Sequence, residues 1–303
     1  MDNKYLQTKS HPLLNLNHPI LVKMKKKELS AKDKKLKIRL EKGIQDQDPP
    51  LYSRWRRLNR LLPSDPRCTT CMVPFEGPGG KLFEVVFNQK RSTLNPLMCN
   101  KCEEIGRRLD FGAEAEMSML FADIRGSTPL AESMSPIEFK ELIHRFYNET
   151  THVLVHSYAI IDKLIGDEVT GYFIPTFVGG KDYAQRAVKA AQDILQVTGH
   201  ANPEGPWAPV GVGVHTGTAY FGSVSSSDGL VELTALGDAV NTASRLASQA
   251  AAGEVVLSES TVRKADLETT NMERRTLELK GKSEPMNVWV LQVGNIIAAK
   301  ELE

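Results

Sequence analysis

Residues 117–128 have the sequence MSMLFADIRGST, and this segment decides how the rest of the chain is interpreted. Its first five residues are apolar enough to predict a strand, and Asp123 lies two residues after them. Gly126 and two small hydroxylic residues come next, so the strand delivers a carboxylate into a turn ahead of a helix. Such a turn favours a hard cation at the carboxylate and phosphates at the backbone N–H groups. The alternative is an Asp that caps the next helix.

A second segment, residues 159–174 (AIIDKLIGDEVTGYFI), predicts a hairpin because two apolar runs flank Gly166 and Asp167. If this hairpin pairs beside the first strand, Asp123 and Asp167 lie at one end of the same sheet. Two carboxylates at one point repel each other unless a cation lies between them. Magnesium is commonly held by one or two carboxylates together with substrate phosphates, so the pair predicts a magnesium site.

A third segment, residues 231–247 (VELTALGDAVNTASRLA), predicts a helix that begins near Gly237 and carries Asn241 and Arg245 on one face. Thr234 lies just before this helix. The segments FADIRGST, KLIGD and GDAVNTASRL resemble the signature segments of the class III nucleotidyl cyclase catalytic domain, most closely those of bacterial adenylyl cyclases. The resemblance covers residues 117–293, and three ordered motifs are far more specific than any one of them.

The resemblance implies an α+β, ferredoxin-like catalytic domain that works as a homodimer with two shared active sites. It implies two Mg²⁺ or Mn²⁺ ions per site, held by Asp123, Asp167 and the carbonyl of Ile124. Asn241 is expected to orient the ribose and Arg245 to neutralise charge on the α-phosphate. Their alternatives are a helix-surface amide and an ordinary helix salt bridge.

The resemblance also assigns base selection to Lys163 and Thr234. A lysine donates to N1 of adenine, and a threonine can accept from its 6-amino group. Lys280 and Lys282 are candidates for the triphosphate, although either could be surface charge. The expected activity is conversion of ATP to cyclic AMP and pyrophosphate. The alternatives are a cyclase of GTP or a pyrimidine triphosphate, or a cyclase-like domain that senses nucleotide.

Within residues 117–293 the remaining patterns predict two long helices, two hairpins and three late strands. A helix from Pro136 to about residue 158 is expected after a Ser135 cap, with another over residues 182–198. Residues 210–224 (VGVGVHTGTAYFGSV) predict a second hairpin. Short strands are expected near 254–258, 275–280 and 287–293, and residues 294–303 form a tail.

Residues 1–50 are polar and rich in lysine, and they are expected to form a basic, flexible arm. Residues 23–42 predict a marginal amphipathic helix, for which a solvated face is favoured over contact with nucleic acid or an anionic membrane. Residues 51–62 predict a short helix that packs Trp55 onto the module that follows.

That module, residues 51–102, contains all four cysteines of the chain, in two CxxC pairs. Paired CxxC motifs favour one structural zinc ion in a zinc-ribbon-like module; an iron–sulfur cluster and a thiol switch are the alternatives. Residues 75–87 between the pairs predict a turn followed by a strand. Residues 103–116 are expected to connect the module to the catalytic domain, and they could form a helix that is interrupted near Gly112. This linker either relays the state of an unidentified regulator or is a simple connection. The ligands of the ion are expected to be Cys68, Cys71, Cys99 and Cys102.

Charge and hydropathy limit the class of protein. The 303 residues include 38 basic and 37 acidic side chains, so the net charge is close to neutral. Nucleic acid is not expected as a partner. No apolar run approaches the length of about 18 residues that a membrane span needs. The first twenty residues lack the apolar core of a signal peptide. A cytoplasmic protein is therefore expected, in keeping with a nucleoside triphosphate substrate.

Overall fold

The computed structural model describes residues 29–46, 56, 58–59, 61–62, 66–93, 96–178, 180–225, 231–270 and 272–293. Trp55 and the tail 294–303 lie outside the described residues, as does most of the predicted basic arm. The helices are α1 (Ala31–Gln45), α2 (Gly77–Phe87), α3 (Asn100–Leu109), α4 (Ser127–Ser133), α5 (Pro136–His156), α6 (Pro175–Val178), α7 (Tyr183–Val197), α8 (Asp238–Gln249) and α9 (Glu259–Lys264). The strands are β1 (Gly112–Ile124), β2 (Ile160–Ile165), β3 (Glu168–Phe173), β4 (Val210–Ser225), β5 (Val231–Leu236), β6 (Glu254–Ser258), β7 (Glu273–Leu277) and β8 (Met286–Gln292).

The strands form one sheet in the order β2-β3-β1-β4-β6-β8-β7, and β5 pairs with β4. The β4–β6 pair is parallel and the other pairs are antiparallel. The predicted hairpin of β2 and β3 is confirmed and lies beside β1, with Asp123 opposite Glu168. The mixed α+β architecture expected from the sequence is therefore present.

Side chains of β1 alternate between the two faces of the sheet, as the period of a strand requires. Leu120 and Ala122 belong to the core cluster that includes α5 and α7. Met119 and Phe121 belong to the cluster that includes α1 and α8. Helices thus cover both faces of β1, and Asp123 lies next to its C-terminal end.

Helix α5 begins where the sequence predicts. Ser135 accepts a hydrogen bond from the N–H of Glu138 at 3.3 Å, and the Glu138 carboxylate accepts one from the N–H of Ser135 at 2.8 Å. This reciprocal capping box satisfies two free N–H groups of the first turn, and Pro136 fits the turn because it has no N–H to lose.

The prediction of a hairpin over residues 210–224 is wrong, because these residues form the single strand β4. Gly213 and Gly217 of this strand mark a close approach to α8 and not a turn. A Cβ on Gly213 would lie 2.1 Å from the N atom of Ala247, and one on Gly217 would lie 3.1 Å from the Cβ of Ala239. Gly213 therefore lets the helix pack directly on the strand, close to the backbone.

The prediction of a strand within residues 75–87 is also wrong, because helix α2 occupies this segment. A proline in the first turn is typical of helices, and α2 ends at Asn88, whose backbone adopts the left-handed conformation. Phe83 packs against the four-cysteine cluster and its ring lies 5.2 Å from that of Phe87, one helical turn later. This tertiary contact overrides the strand preference of the apolar run. The module between the cysteine pairs is thus not a β-ribbon in this structure.

Two boundary predictions near the N-terminus also need correction. The expected linker 103–116 consists of most of α3 and the first residues of β1, so the helix expected there is present but ends at Leu109, and a strand begins at Gly112. The described part of the expected flexible arm is helix α1, whose Leu40 and Ile44 are buried with Phe111 against the sheet. Its apolar stripe thus packs on the domain. Among the described residues no helix is both long and apolar enough to cross a membrane.

Candidate active site and cysteine cluster

The two carboxylates singled out in the sequence lie together at one end of the sheet. Asp123 is the penultimate residue of β1, and Asp167 lies in the tight turn between β2 and β3. The N–H of Ile124 donates to the carbonyl of Asp167 at 3.1 Å, which joins the strand end to the turn. Tyr147 of α5, which the sequence did not single out, donates its hydroxyl to the carbonyl of Gly166 at 2.7 Å and so holds the turn.

The surroundings of Asp123 fit a divalent cation. Burial raises the pKa of Asp123 to about 7; the Arg125 guanidinium opposes this rise and the Asp167 carboxylate adds to it. Arg125 forms an ion pair with Oδ2 of Asp123, whereas the buried Oδ1 has no hydrogen-bond partner among the described residues. Glu168 adds a third carboxyl group, whose pKa burial also raises. A cation would satisfy the unpartnered oxygen and relieve the repulsion.

Lys163 of β2 and Thr234 of β5 also lie close together. The Nζ of Lys163 is 3.6 Å from an oxygen of Glu232, two residues before Thr234. The hydroxyl of Thr234 donates to Oδ2 of Asp162 at 3.1 Å, and the hydroxyl of Tyr172 donates to the same oxygen at 2.8 Å. Burial raises the pKa of Asp162, opposed by these two hydrogen bonds. Asp162 directly precedes Lys163, but no pattern in the sequence marks it as a site residue.

Helix α8 places Asn241 and Arg245 one turn apart. Asn241 is exposed, and Arg245 is half-buried. The guanidinium of Arg245 lies against Gly281, where an added Cβ would stand 3.3 Å from Nη2. Arg245 is therefore directed toward the connection between β7 and β8.

The two candidate lysines lie in that same connection. Lys282 forms an ion pair with Asp238 in the first turn of α8, while Lys280 is exposed. His215 of β4 lies close by, and its pKa falls to about 4 because of burial and the nearby charge of Lys282, with Asp238 opposing. Lys280 is thus available to a ligand, whereas Lys282 has an internal partner.

Within one chain, the carboxylates and Arg245 are carried by different elements. The carboxylates lie at the end of β1 and in the β2–β3 turn, whereas Arg245 lies on α8 against the β7–β8 connection. Helix α8 packs on β1 and β4, and Nη1 of Arg125 donates to the carbonyl of Ser248, one turn beyond Arg245, at 3.4 Å.

Residues 111–292 match the family described as adenylate and guanylate cyclase catalytic domain. The chain belongs to this family. The adenylate cyclase of Anabaena cylindrica is 30% identical over 186 residues, which cover 57% of this chain and 36% of that protein. The chain therefore matches only about a third of that relative's length.

Two crystal structures show the same cyclase fold. The adenylyl cyclase CyaB from P. aeruginosa has a TM-score of 0.53 and 26% identity, and the match covers 62% of this chain and 98% of that one. The guanylyl cyclase Cya2 has a TM-score of 0.54 and 25% identity, over 61% of this chain and 95% of that one. The fold is thus shared with cyclases named for either purine.

A cluster of four buried cysteines precedes the cyclase domain. The Sγ atoms of Cys68, Cys71, Cys99 and Cys102 all lie within 4.8 Å of one another, and none is in a disulfide. The Cys71 and Cys99 sulfurs are 3.8 Å apart, and a tetrahedral site with metal–sulfur bonds of about 2.3 Å has its sulfurs about 3.8 Å apart. The cluster therefore has the dimensions of a tetrahedral metal site.

Hydrogen bonds to sulfur support this interpretation. The side chain of Gln89 donates to Sγ of Cys99 at 3.1 Å, and the N–H of Cys99 donates to Sγ of Cys68 at 3.3 Å. Bonds with the neighbouring thiols of Cys102, Cys68 and Cys71 hold the pKa of Cys99 well below its usual value. Donors that point at sulfur stabilise thiolates, which are the form that binds metal.

Helix α3 connects this cluster to the cyclase domain. Cys99 caps its first turn, and Cys102 lies within it. Farther along, the carbonyl of Gly106 accepts a hydrogen bond from the Ser223 hydroxyl of β4 at 3.0 Å. A cavity of about 370 Å³ lies between α3 and the strands β2 and β5, with Cys102 and Lys163 among the residues that line it. Helix α3 and this cavity thus lie between the cysteine cluster and the strands that carry Lys163 and Thr234.

Proposed function

We propose that this protein is an adenylyl cyclase, which converts ATP to 3′,5′-cyclic AMP and pyrophosphate. The observation that carries the proposal is the position of Lys163 beside the strand of Thr234, at the β2–β5 contact. A lysine can only donate, which suits the N1 acceptor of adenine, and a threonine can accept from the 6-amino group. Guanine presents an N1–H donor and a 6-oxo acceptor at the same positions, so it would need the reverse pattern.

The carboxylate end of the sheet supplies the metal site of this proposal. Asp123 and Asp167 bind two divalent ions, Mg²⁺ or Mn²⁺, and the carbonyl of Ile124 assists. The unpartnered Oδ1 of Asp123 supports this role. When bound, the ions make the ribose 3′-hydroxyl a better nucleophile and offset charge on the triphosphate.

The groups on α8 and in the β7–β8 connection act on the reacting phosphate. The 3′-oxygen attacks the α-phosphorus, and the bond from that phosphorus to the pyrophosphate oxygen breaks. Arg245 neutralises the charge that grows on the α-phosphate, an effect worth roughly 10³–10⁵ in rate in related phosphoryl transfers. Asn241 orients the ribose. Lys280 and Lys282 are the candidates for binding the triphosphate, and Lys282 would first have to leave Asp238.

We infer that the active site is shared between two copies of the chain. Asp123 and Asp167 of one copy act with Lys163, Thr234, Asn241 and Arg245 of the other. The membership of the chain in the cyclase catalytic-domain family, whose domains work as dimers, supports this arrangement. A two-fold interface that brings one set against the other creates two identical sites.

The four cysteines are proposed to bind one structural zinc ion per chain. The 3.8 Å sulfur separation and the N–H···S bonds favour zinc in a closed four-thiolate site. The metal then joins α2 to α3, and an unidentified regulator can act on the enzyme through this module. The cytoplasm, where nucleoside triphosphates are available, is the proposed location.

The test is product analysis with purified protein, each of the four nucleoside triphosphates and Mn²⁺. Cyclic AMP is expected as the main product, and an Asp123→Asn variant should produce almost none. Cyclic GMP or a cyclic pyrimidine nucleotide as the main product would contradict the base assignment. Absence of any cyclic product would favour the alternative of a nucleotide-sensing domain.

A further inference from the structure

The hydroxyl of Thr234 is held by a partner that the proposed mechanism does not use. It donates to Oδ2 of Asp162 at 3.1 Å, and Tyr172 donates to the same oxygen at 2.8 Å. Thr234 is 4% exposed and Tyr172 is 1% exposed, so solvent competes with neither hydrogen bond. Asp162 thus accepts from two buried hydroxyl groups.

The direction of the Thr234 bond matters because a hydroxyl has a single proton. A second acceptor near this hydroxyl is the carbonyl of Ala235 at 3.5 Å, which is at the outer limit of a hydrogen bond. The Tyr172 hydroxyl also lies beside Thr234, but it donates its own proton to Asp162. The Thr234 proton is therefore committed to the protein, and only the lone pairs of its oxygen remain for a ligand.

A threonine with a freely rotating hydroxyl distinguishes poorly between purines, since it can donate to a 6-oxo group or accept from a 6-amino group. A threonine whose proton is committed can only accept. We propose that Asp162 is a positioning residue for base selection: by holding the Thr234 proton, it makes this hydroxyl an acceptor that favours a 6-amino purine over a 6-oxo purine. The proposal rests on the proposed contact of Thr234 with the base.

Two substitutions at Asp162 separate this role from a general effect on the fold. Asp162→Asn keeps a carbonyl oxygen that accepts from Thr234, whereas Asp162→Leu keeps the branched shape but removes the acceptor. The measurement is the ratio of kcat/KM for ATP to that for ITP, whose base differs at the 6-position and at N1. We expect Asp162→Leu to lower this ratio about tenfold and Asp162→Asn to change it less than about twofold.

Tyr172→Phe is the matched control, because it removes the other hydrogen bond to the same oxygen and leaves that of Thr234. It should preserve the ratio. If the Asp162→Leu protein does not fold, Asp162→Ala carries the same test with a smaller side chain. An unchanged ratio in the variant without an acceptor would overturn the proposal, and so would an equal loss in Asp162→Asn.

A double-mutant cycle with Thr234→Val distinguishes two ways in which the proposal could fail. Either Asp162 does not orient Thr234, or Thr234 does not contact the base. In that background, which has no hydroxyl to orient, Asp162→Leu should have no further effect on the ratio. If Thr234→Val alone leaves the ratio unchanged, Thr234 does not contact the base, and both the assignment and the inference are wrong. If Thr234→Val lowers the ratio but Asp162→Leu acts independently of it, the inference alone is wrong.

Discussion

The main-chain N–H of Ile124 donates to the carbonyl of Asp167 at 3.1 Å, so the end of β1 is bonded directly to the β2–β3 turn. The spacing of Asp123 and Asp167 is thus fixed by backbone and does not depend on their side chains. The turn has a second support in the hydrogen bond from Tyr147 to Gly166. A preformed pair of ligands reduces the cost of ordering the site when a metal binds.

The first prediction concerns this second support. Tyr147→Phe should raise the Mn²⁺ concentration needed for half-maximal activity by about tenfold, because residues that orient ligands contribute on this scale. Activity at saturating Mn²⁺ should stay near that of the wild type. A titration of activity against Mn²⁺ checks this, and an unchanged midpoint would show that Tyr147 does not position Asp167.

The second prediction concerns the cysteine cluster. Purified protein should contain one zinc per chain by elemental analysis, and Cys68→Ser should lose it, because one of four ligands is removed. Structural zinc contributes about 10–16 kcal/mol of apparent binding energy in small fingers, so the module should unfold while the cyclase domain stays folded. Thr70→Ala is the control: it alters the residue beside Cys71, whose hydroxyl has no partner among the described residues, and it should keep the metal. Iron in place of zinc, or no metal at all, would contradict this prediction.

The third prediction concerns the choice of purine. Lys163→Glu combined with Thr234→Cys should reduce the use of ATP and increase that of GTP, because the donor at N1 becomes an acceptor. The measurement is kcat/KM for both nucleotides in the double variant and the wild type. Unchanged preference for ATP would mean that these two residues do not select the base.

The fourth prediction follows from His215. Its pKa of about 4 in the folded protein lies below the ordinary value of 6.5, chiefly because of burial. Between these two values the unfolded chain binds a proton that the folded chain does not, so the free energy of unfolding should fall as the pH drops from 6.5 to 4. The full loss is about 3 kcal/mol.

Urea unfolding across this pH range checks the prediction. His215→Gln has no ionisable group at this position, so its free energy of unfolding should depend less on pH than that of the wild type. The carboxyl groups titrate in both proteins, so their contributions to the pH dependence cancel in the comparison. Equal pH dependence in the two proteins would show that His215 takes up its proton in the folded state as readily as in the unfolded one.

The sequence predicts the elements whose determinants are local. The β2–β3 turn follows from Gly166 and Asp167 between two apolar runs, and the start of α5 follows from its capping residues. Strand β6 has the bounds that its apolar run indicates. The approach of Asp123 to Asp167 could also be predicted, because a hairpin beside β1 leaves few alternatives.

The errors arise where a distant contact decides the local structure. The glycines of β4 resemble turn residues until Gly213 is seen to lie under Ala247 of α8. The apolar residues of α2 favour a strand by their local pattern, but the packing of Phe83 against the cysteine cluster stabilises a helix. The role of Asp162 depends on Thr234, a residue far away in the sequence, so no local pattern reveals it.

The most direct test of the central claim, an adenylyl cyclase with sites shared between two chains, is complementation. Asp123→Ala and Arg245→Ala should each be nearly inactive, because each damages both sites of its homodimer. Mixed in equal amounts under conditions where subunits exchange, they should form heterodimers with one intact site and one doubly damaged site. Random pairing makes about half the dimers heterodimers, so roughly a quarter of wild-type cyclic AMP production should return. A mixture as inactive as its two components would contradict the shared site.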